Sequence, residues 1–175
     1  MGVLDITYGA SRAEVMWPDR EMSVTVATPE EFIEGKYPNG EYDVVLCAHT
    51  LQYVDSRMVK DFMDTMAKSI KNHGEVWVIV PSLEWAAAGV LDNSPDPLIQ
   101  AVMFGQERAH RSGYTLLWLR ALIEGAGLVT RQAKVGAMEI QVEIGATNDQ
   151  EVRQIPQNTV IGMRNDDVHD LSTAD

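Results

Sequence analysis

The segments YDVVLC, residues 42–47, and EVWVIV, residues 75–80, decide the fold. Both are nearly continuous apolar runs, which is typical of strands that are buried on both faces of a parallel sheet. Between them, apolar residues recur at the spacing of a helix from Asp55 to Lys71, and residues 72–74 can end that helix. A strand, a helix and a strand at this spacing predict a βαβ unit with a right-handed crossover.

Shorter patterns on either side extend this unit into a larger sheet. Further strands are predicted over residues 3–6, 14–17, 23–27, 128–134 and 138–144. Further helices are predicted over residues 83–91, 98–104 and 115–124, with a short one that begins at Thr28. Residues 138–144 alternate between apolar and polar side chains, which favours an antiparallel strand with one wet face. The sequence therefore predicts an α/β fold with a mostly parallel sheet and one late antiparallel strand.

Charge and composition exclude several classes of protein. The 175 residues include 14 Lys and Arg against 26 Asp and Glu, which gives a net charge of −12. General binding to a nucleic-acid backbone requires clustered basic residues, and the sequence has no basic run. The sequence leaves open a local contact with nucleic acid near Arg108, His110 and Arg111. No apolar run approaches the ~18 residues of a membrane-spanning helix, so we expect no membrane span.

Cysteine and histidine usage points to neither a disulfide nor a metal centre. The single cysteine, Cys47, excludes an internal disulfide and is predicted to be a small core residue. The four histidines show no metal-ligand spacing, so no metal site is expected. The N-terminus reads as a strand and not as a signal peptide. We therefore expect a cytoplasmic protein, with a component of a virion or another assembly as the alternative.

The predicted domain organisation is one α/β domain over residues 1–146 and an acidic C-terminal tail over residues 147–175. The tail carries six acidic residues against two arginines. An ordered tail of this composition is expected to dock on its own domain or on a neighbour. The possible partners are therefore a second copy in an oligomer or a component of an assembly.

Candidate ligand-binding residues follow from the predicted sheet, because ligands of open parallel sheets bind beyond the carboxyl ends of the strands. The segments at that edge are Thr7–Ser11, Asp19, Thr28, His49–Tyr53 and Pro81–Glu84.

Four segments in order resemble the class I S-adenosylmethionine-dependent methyltransferases, in particular small bacterial and phage-type members of the methyltransferase type 11-like group. LDITYGAS, residues 4–11, resembles their first motif, and YDVVLCAHTLQYV, residues 42–54, resembles their fourth-strand motif. NHGEVWVIVP, residues 72–81, is similar to the segment that follows. FGQ, HRSGYT and GAGL, within residues 104–128, are similar to a later stretch. The resemblance covers about residues 3–145.

The resemblance implies a Rossmann-like class I methyltransferase fold, S-adenosylmethionine as cofactor, and methyl transfer to an unknown small molecule, sugar or protein. It implies that Asp5 orients the first loop or accepts from the cofactor's amino group, and that Asp19, after the predicted second strand, takes the ribose. The implied cofactor-binding residues are Asp5, Gly9, Ser11, Asp19, Thr28, His49, Leu51 and Gln52. The implied catalytic residues are His110, His49 and Glu84, with His110 and Glu84 facing the acceptor.

Departures from the family motifs support a second hypothesis of another class. Thr7 and Ser11 stand where the first motif has glycine, and Thr28 stands where an acid is common. The connection from Gly9 to Asp19 leaves room for only a turn of the first helix. These features fit a degenerate methyltransferase fold kept as a structural or interaction module without catalysis. An open crevice beside Gly9 would favour the enzyme, and a crevice filled by aromatic side chains would favour the module.

Overall fold

The structure is a computed structural model that describes residues 1–105, 109–143 and 150–164. The strands are β1 (Gly2–Ile6), β2 (Ser23–Ala27), β3 (Tyr42–Ala48), β4 (Ile70–Pro81), β5 (Val129–Glu143) and β6 (Gln150–Met163). The helices are α1 (Ala13–Met16), α2 (Pro29–Ile33), α3 (Val59–Ser69), α4 (Leu83–Leu91), α5 (Pro97–Phe104) and α6 (Leu116–Gly125). A single 3₁₀ turn, Leu51–Tyr53, follows β3. Among these helices none is long and apolar enough to cross a membrane.

The strands form one sheet in the order β2-β1-β3-β4-β6-β5. Strands β1 to β4 pair in parallel, and β6 runs antiparallel to both of its neighbours, β4 and β5. The chain moves from β1 outward to β2 and then returns past β1 to β3. This reversal makes the carboxyl ends of β1 and β3 the topological switch point, where open α/β sheets bind ligands. The predicted α/β class, with its late antiparallel strand, is confirmed.

The two faces of the sheet carry separate parts of the core because successive strand residues point to opposite sides. On one face, side chains such as Leu4 and Val45 pack against α2, α3 and α6, where the rings of Phe32 and Phe62 lie 5.3 Å apart. On the other face, Leu46 belongs to a smaller cluster that includes Ala13 of α1. Cys47 is fully buried in the larger cluster, as predicted.

The strand predicted over residues 14–17 is wrong, because Ala13–Met16 forms α1. A carboxylate explains the difference: Asp5 accepts hydrogen bonds from the backbone N–H groups of Arg12 at 2.7 Å and Ala13 at 3.3 Å. These donors start a helical turn that the local pattern does not predict. The expected shortening of the first helix is confirmed, since α1 has only four residues.

The predicted helix from Asp55 to Lys71 is too long at both ends. Asp55 lies before the helix and binds the backbone N–H and the guanidinium of Arg57. At the other end, Ile70 is fully buried and pairs with Tyr42 as the first residue of β4. Residues 72–74, expected to end the helix, instead belong to an irregularity in β4 opposite β3. Burial of Ile70 in the sheet has replaced the last helical turn.

The C-terminal part of the sheet also differs from the expectation. The two strands predicted over residues 128–134 and 138–144 form one strand, β5, as far as Glu143. The antiparallel strand that enters the sheet is β6, within the segment we expected to be an acidic tail. Residues 144–149 and 165–175 of the predicted strand and tail lie outside the described residues.

Replacement of Gly162 by alanine tests the position of β6 against α6. A Cβ at Gly162 would overlap Cγ2 of the buried Ile123 and lie 3.1 Å from Cβ of Leu128. Such overpacking is expected to lower the free energy of unfolding by about 1–2 kcal/mol, measured by urea denaturation. Gly125→Ala is the control, because a Cβ there meets no atom within 4 Å. Equal stability of the two variants would contradict the placement of β6.

Candidate functional site

A cavity of about 570 Å³ lies at the carboxyl ends of β1, β2 and β3. Its volume falls in the range of ordinary small-molecule sites, about 300–1,000 Å³. The lining residues come from the loops after these strands, from α2, and from a loop before α6. They are Tyr8, Pro29, Glu30, Ile33, Glu34, Tyr53, Val54, Asp55, Met58, Ala109 and Arg111.

Two tyrosines line this cavity from different loops. Tyr8 follows β1 and Tyr53 ends the 3₁₀ turn after β3, and their ring centroids lie 5.9 Å apart with nearly perpendicular planes. The ring of His110 packs against Tyr53 at 5.1 Å. The hydroxyl of Tyr8 donates a hydrogen bond of 2.6 Å to Oε1 of Glu30. The aromatic side chains therefore border an open cavity and do not fill it.

The charges around the cavity are mostly negative. Glu30, Glu34 and Asp55 face one lining cation, Arg111. The side-chain hydrogen bonds from Arg57 hold the pKa of Asp55 far below its ordinary value, and Arg111 lies 3.8 Å from the same carboxylate. The cavity thus combines aromatic rings with an excess of carboxylates.

Asp5 organises the loop between β1 and α1. Its side chain is fully buried, and Oδ2 accepts from the Ser11 hydroxyl at 2.7 Å as well as from the backbone of Arg12 and Ala13. The sequence left two roles open for Asp5: to orient the loop or to accept from the cofactor's amino group. The hydrogen bonds of its carboxylate show the first role. Oδ1 has no hydrogen-bond partner among the described residues, so one acceptor atom is left over.

The loop that precedes Ser11 satisfies much of its own polarity. Thr7 is buried, and its hydroxyl accepts from the backbone N–H of Gly9 at 3.1 Å. Gly9 is exposed, and a Cβ at this position would meet no atom within 4 Å. Open space therefore lies beside Gly9, whereas the hydroxyl groups of Thr7 and Ser11 are engaged in hydrogen bonds near the loop.

The structure does not bring Asp19 to this edge of the sheet. Its neighbours Arg20 and Glu21 contact Met1, at the amino ends of β1 and β2. The prediction for Asp19 failed because residues 14–17 were taken as the second strand. In the structure the second strand is β2 (Ser23–Ala27), which pairs directly with β1. The segment after the second strand is therefore the one that begins at Thr28.

Thr28 caps α2. Its hydroxyl accepts from the backbone N–H of Glu31 at 3.3 Å, and the carboxylate of Glu31 accepts from the backbone N–H of Thr28 at 3.1 Å. This reciprocal capping fixes the first turn of α2. As a result, Glu30 lies on the cavity side of that turn.

Three predicted cofactor-binding residues follow β3: His49 and Gln52 are polar, and Leu51 belongs to the core. His49 has a φ of 55°, and burial lowers the pKa of its imidazole to about 4, so it is neutral at pH 7. Leu51 is fully buried in the larger core cluster and is not exposed at the cavity. Gln52 is buried, and its backbone carbonyl accepts from the N–H groups of Arg111 and Ser112.

A small space of about 10 Å³ lies between Gln52, His110 and Tyr114. Oε1 of Gln52 has no hydrogen-bond partner among the described residues. A space of this size holds about one water molecule, provided that polar atoms surround it. This polar spot adjoins the loop that carries His110 and Arg111.

His110 has a defined tautomer. Its Nδ1 lies 2.8 Å from the carbonyl oxygen of Val102, which can only accept, so Nδ1 carries the proton. Burial lowers the pKa of His110, although the hydrogen bond to Val102 acts against it. A lowered pKa favours the neutral imidazole, in which Nε2 is the unprotonated nitrogen.

Glu84 links three elements of the structure. Its carboxylate accepts from the backbone N–H of Leu116 at 2.6 Å, from Nδ2 of Asn158 at 2.7 Å and from the Ser82 hydroxyl at 3.1 Å. Burial acts to raise the pKa of Glu84, but these hydrogen bonds outweigh it and the pKa is lowered. Glu84 is not among the residues that line the cavity.

Three cavity residues were not predicted from the sequence to line a binding site: Glu30, Asp55 and Arg111. The signal for Glu30 was present in the capping pattern of α2, but the strand before it was counted as the third and not the second. Arg111 is brought in by the hydrogen bond from its backbone N–H to Gln52, which joins distant parts of the sequence. The possible local contact with nucleic acid near Arg108, His110 and Arg111 stays a prediction, and Arg108 itself lies outside the described residues. No group of three or more metal-ligating side chains occurs in the described ranges.

Comparison with solved structures identifies the fold. A SAM-dependent methyltransferase from Archaeoglobus fulgidus matches with a TM-score of 0.57 and 14% identity over 93% of this chain and 86% of the other. A SAM-dependent methyltransferase from Methanosarcina mazei matches with a TM-score of 0.57 and 13% identity over 94% and 81%. Human N-acetylserotonin methyltransferase, solved in complex with SAM, matches with a TM-score of 0.58 and 14% identity over 94% and 47%.

The sequence matches no protein-family model and no curated protein. The agreement is therefore one of architecture: a six-stranded, mostly parallel sheet flanked by helices, with its last strand inserted antiparallel. Because this match extends over nearly the whole chain, the protein has the fold of the class I S-adenosylmethionine-dependent methyltransferases.

Proposed function

We propose that the protein is an S-adenosylmethionine-dependent methyltransferase whose cofactor binds in the cavity at the carboxyl ends of β1, β2 and β3. The observation that supports this proposal is the cavity itself, which lies at the topological switch point of a methyltransferase-like sheet. Fold alone does not establish function, so the residues of the cavity must also fit the cofactor.

The residues present fit the nucleoside part of the cofactor. The carboxylate of Glu30 can accept hydrogen bonds from the two ribose hydroxyls, because an ionised carboxylate is an acceptor only. Tyr8 and Tyr53 offer aromatic surface for the adenine. The open space beside Gly9, in the loop after β1, suits the amino-acid part.

In this proposal the chain positions the reactants. S-adenosylmethionine supplies an activated methyl group. Methyl transfer depends mainly on holding the acceptor in line, which well-formed cavities achieve through orientation. His110 does not line the cavity but packs against Tyr53, which does. It is our candidate for taking a proton from an acceptor, because the Nδ1 hydrogen bond to Val102 leaves Nε2 as the unprotonated nitrogen. His49 is less suited, since its low pKa makes it a weak base.

A second candidate function is the degenerate module without catalysis. The observation in its favour is the loop after β1, where Asp5 and the hydroxyl of Thr7 already occupy the backbone N–H groups of Gly9, Arg12 and Ala13. These donors are then not available to a ligand. In that case the fold would serve as an interaction module, and the cavity would bind no nucleoside.

Isothermal titration calorimetry with S-adenosylmethionine and S-adenosylhomocysteine decides between the two functions. The methyltransferase proposal expects saturable binding at micromolar concentration and a loss of at least tenfold in affinity for both ligands in Glu30→Ala, since the ribose would lose its acceptor. No heat up to millimolar ligand, from a sample whose folding is shown by circular dichroism, would overturn it.

Asp19→Ala is the matched control. It removes an exposed carboxylate from the opposite edge of the sheet, at the position that the family resemblance assigns to the ribose. We expect its ligand affinity to equal that of the unmodified protein. If Asp19→Ala lost affinity and Glu30→Ala did not, the cofactor would bind elsewhere than in this cavity.

A further inference from the structure

We propose that a cavity at the opposite edge of the sheet is a further binding site, for a flat aromatic ring that carries a carboxylate or a phosphate. This amino-end cavity lies at the amino ends of β1, β3 and β4, whereas the cavity of the proposed function lies at the carboxyl ends. Its volume of about 480 Å³ falls within the range of small-molecule sites. The inference does not depend on the methyltransferase proposal.

The amino-end cavity lies on the face of the sheet that carries the smaller core cluster. α1, with only four residues, contributes Ala13 to this cluster, and the side chains around the cluster are only partly buried. Trp17, directly after α1, and Trp77 of β4 are two of them. Val44 of β3 and Ile161 of β6 are buried and supply the apolar base of the cavity. An apolar base with half-exposed indoles and a polar rim is typical of a ligand-binding surface.

The two indole rings supply the aromatic surface. The ring centroids of Trp17 and Trp77 lie 5.3 Å apart, and their planes are nearly perpendicular. The ring of Trp77 is held in orientation, because its Nε1 donates a hydrogen bond of 2.9 Å to Oε2 of Glu75. Aromatic rings bind a further ring by offset stacking or edge-to-face contact, in addition to the gain from removing apolar surface from water. The cavity therefore favours a flat ring.

The charged side chains at the rim favour an anion. Asp43 is paired with Lys71 at 2.8 Å, and Glu75 is paired with Arg131. Arg20 also lines the cavity, and it forms no ion pair within the described part of the chain. One guanidinium is therefore left over in a chain whose net charge is −12. A guanidinium binds carboxylates and phosphates through paired N–H donors.

Magnitudes decide how the ring and the charge share the binding. Arg20 is exposed, and an ion pair at an exposed site contributes little. An inorganic anion would gain only this small contribution and would leave Trp17 and Trp77 uncovered. A neutral ring would cover the indoles but leave the guanidinium without a partner. The ring is thus expected to supply most of the affinity, and the anionic group to add selectivity.

The test measures four compounds by isothermal titration calorimetry. Naphthoate and naphthyl phosphate carry both features, naphthamide has the ring without the charge, and cyclohexanecarboxylate has the charge without an aromatic ring. We expect saturable binding of both naphthyl anions, and the tighter one identifies the preferred anionic group. Naphthamide is expected to bind about threefold more weakly, and cyclohexanecarboxylate about tenfold more weakly or less.

Two variants with matched controls locate the binding. Arg20→Gln is expected to weaken naphthoate about threefold and to leave naphthamide unchanged, because only the charge is lost. Trp17→Leu is expected to weaken both compounds about tenfold. Trp118→Leu and Arg120→Gln change exposed residues of α6 and are expected to bind as the unmodified protein does. Circular dichroism and thermal unfolding establish that each variant is folded.

Nuclear magnetic resonance gives a readout on the unmodified protein. Naphthoate is expected to shift the indole N–H signals of Trp17 and Trp77 and to leave those of Trp85 in α4 and Trp118 in α6 in place. Shifts confined to Trp85 and Trp118 would overturn the proposal, as would equal affinity for cyclohexanecarboxylate or no binding of either naphthyl anion up to millimolar concentration.

Competition separates this site from the proposed function. Displacement of naphthoate by S-adenosylhomocysteine would overturn the amino-end site, because both compounds would then share the cavity at the carboxyl ends. Binding of naphthoate to a protein that does not bind S-adenosylhomocysteine would support the amino-end site and overturn the methyltransferase proposal.

Discussion

Replacement of Asp5 by alanine is expected to lower the free energy of unfolding by about 3 kcal/mol. The carboxylate is fully buried and accepts three hydrogen bonds through Oδ2, two of them from the backbone N–H groups that begin α1. Hydrogen bonds to a charged group contribute about 1.5–3 kcal/mol each, and the desolvation cost of burying the carboxylate itself offsets part of their sum. The loss is measured by urea denaturation.

Ser11→Ala provides the matched control for Asp5→Ala. It removes one of the three donors and leaves the carboxylate with both backbone bonds, so we expect a loss of only about 1 kcal/mol. If Asp5→Ala also cost less than about 1 kcal/mol, the carboxylate would not organise the loop, and its buried charge would need another explanation. That result would reopen the direct contact between Asp5 and a cofactor amino group.

Replacement of Glu84 by alanine is expected to cost about 2 kcal/mol of stability while leaving ligand affinity nearly unchanged. The carboxylate joins the first turn of α4 to Leu116 at the start of α6 and to Asn158 of β6, whose side chain is fully buried. Without Glu84, the Asn158 side-chain amide keeps, among the described residues, only its bond to the Tyr114 carbonyl. Loss of one charged acceptor in a partly exposed network gives this magnitude.

The pH dependence of stability gives a second readout for Glu84. Because its folded pKa is lowered, the carboxylate contributes stability above its unfolded pKa and loses that contribution as pH falls through the folded value. Glu84→Gln is therefore expected to be less sensitive to acidification below about pH 4.5 than the unmodified protein, in the same denaturation assay. A variant that kept its stability but lost affinity for an acceptor would instead support the acceptor-facing role expected from the sequence.

The central βαβ unit could be predicted because its signals are local. Buried strands such as Tyr42–Ala48 are continuous apolar runs, and the apolar spacing that marks α3 is strong over eleven residues. α1 could not be predicted in the same way, because its first turn depends on a carboxylate in β1, eight residues before Ala13. β6 was missed because its sequence, QEVRQIPQNTVIGM, alternates poorly and obtains its register from pairing with β4 and β5.

The candidate site was predicted at the level of the sheet edge but not of the individual residues. The loops after β1 and β3 do line the cavity, through Tyr8 and Tyr53. The ribose acid was sought at Asp19 because the short helix α1 was taken for a strand, which shifted the count of strands by one. Correct placement of β2 beside β1 moves attention to Glu30, and only the tertiary structure supplies that pairing.

The insertion of β6 between β4 and β5 has a consequence for the order of folding. During synthesis β5 emerges before β6, yet β5 pairs only with β6 in this sheet. Until residues 150–163 leave the ribosome, β4 therefore has an open edge and β5 has no neighbour to pair with. Open edges of this kind invite pairing with other chains. A nascent chain arrested before residue 150 is thus the species in which this fold is most exposed to aggregation and to capture by chaperones.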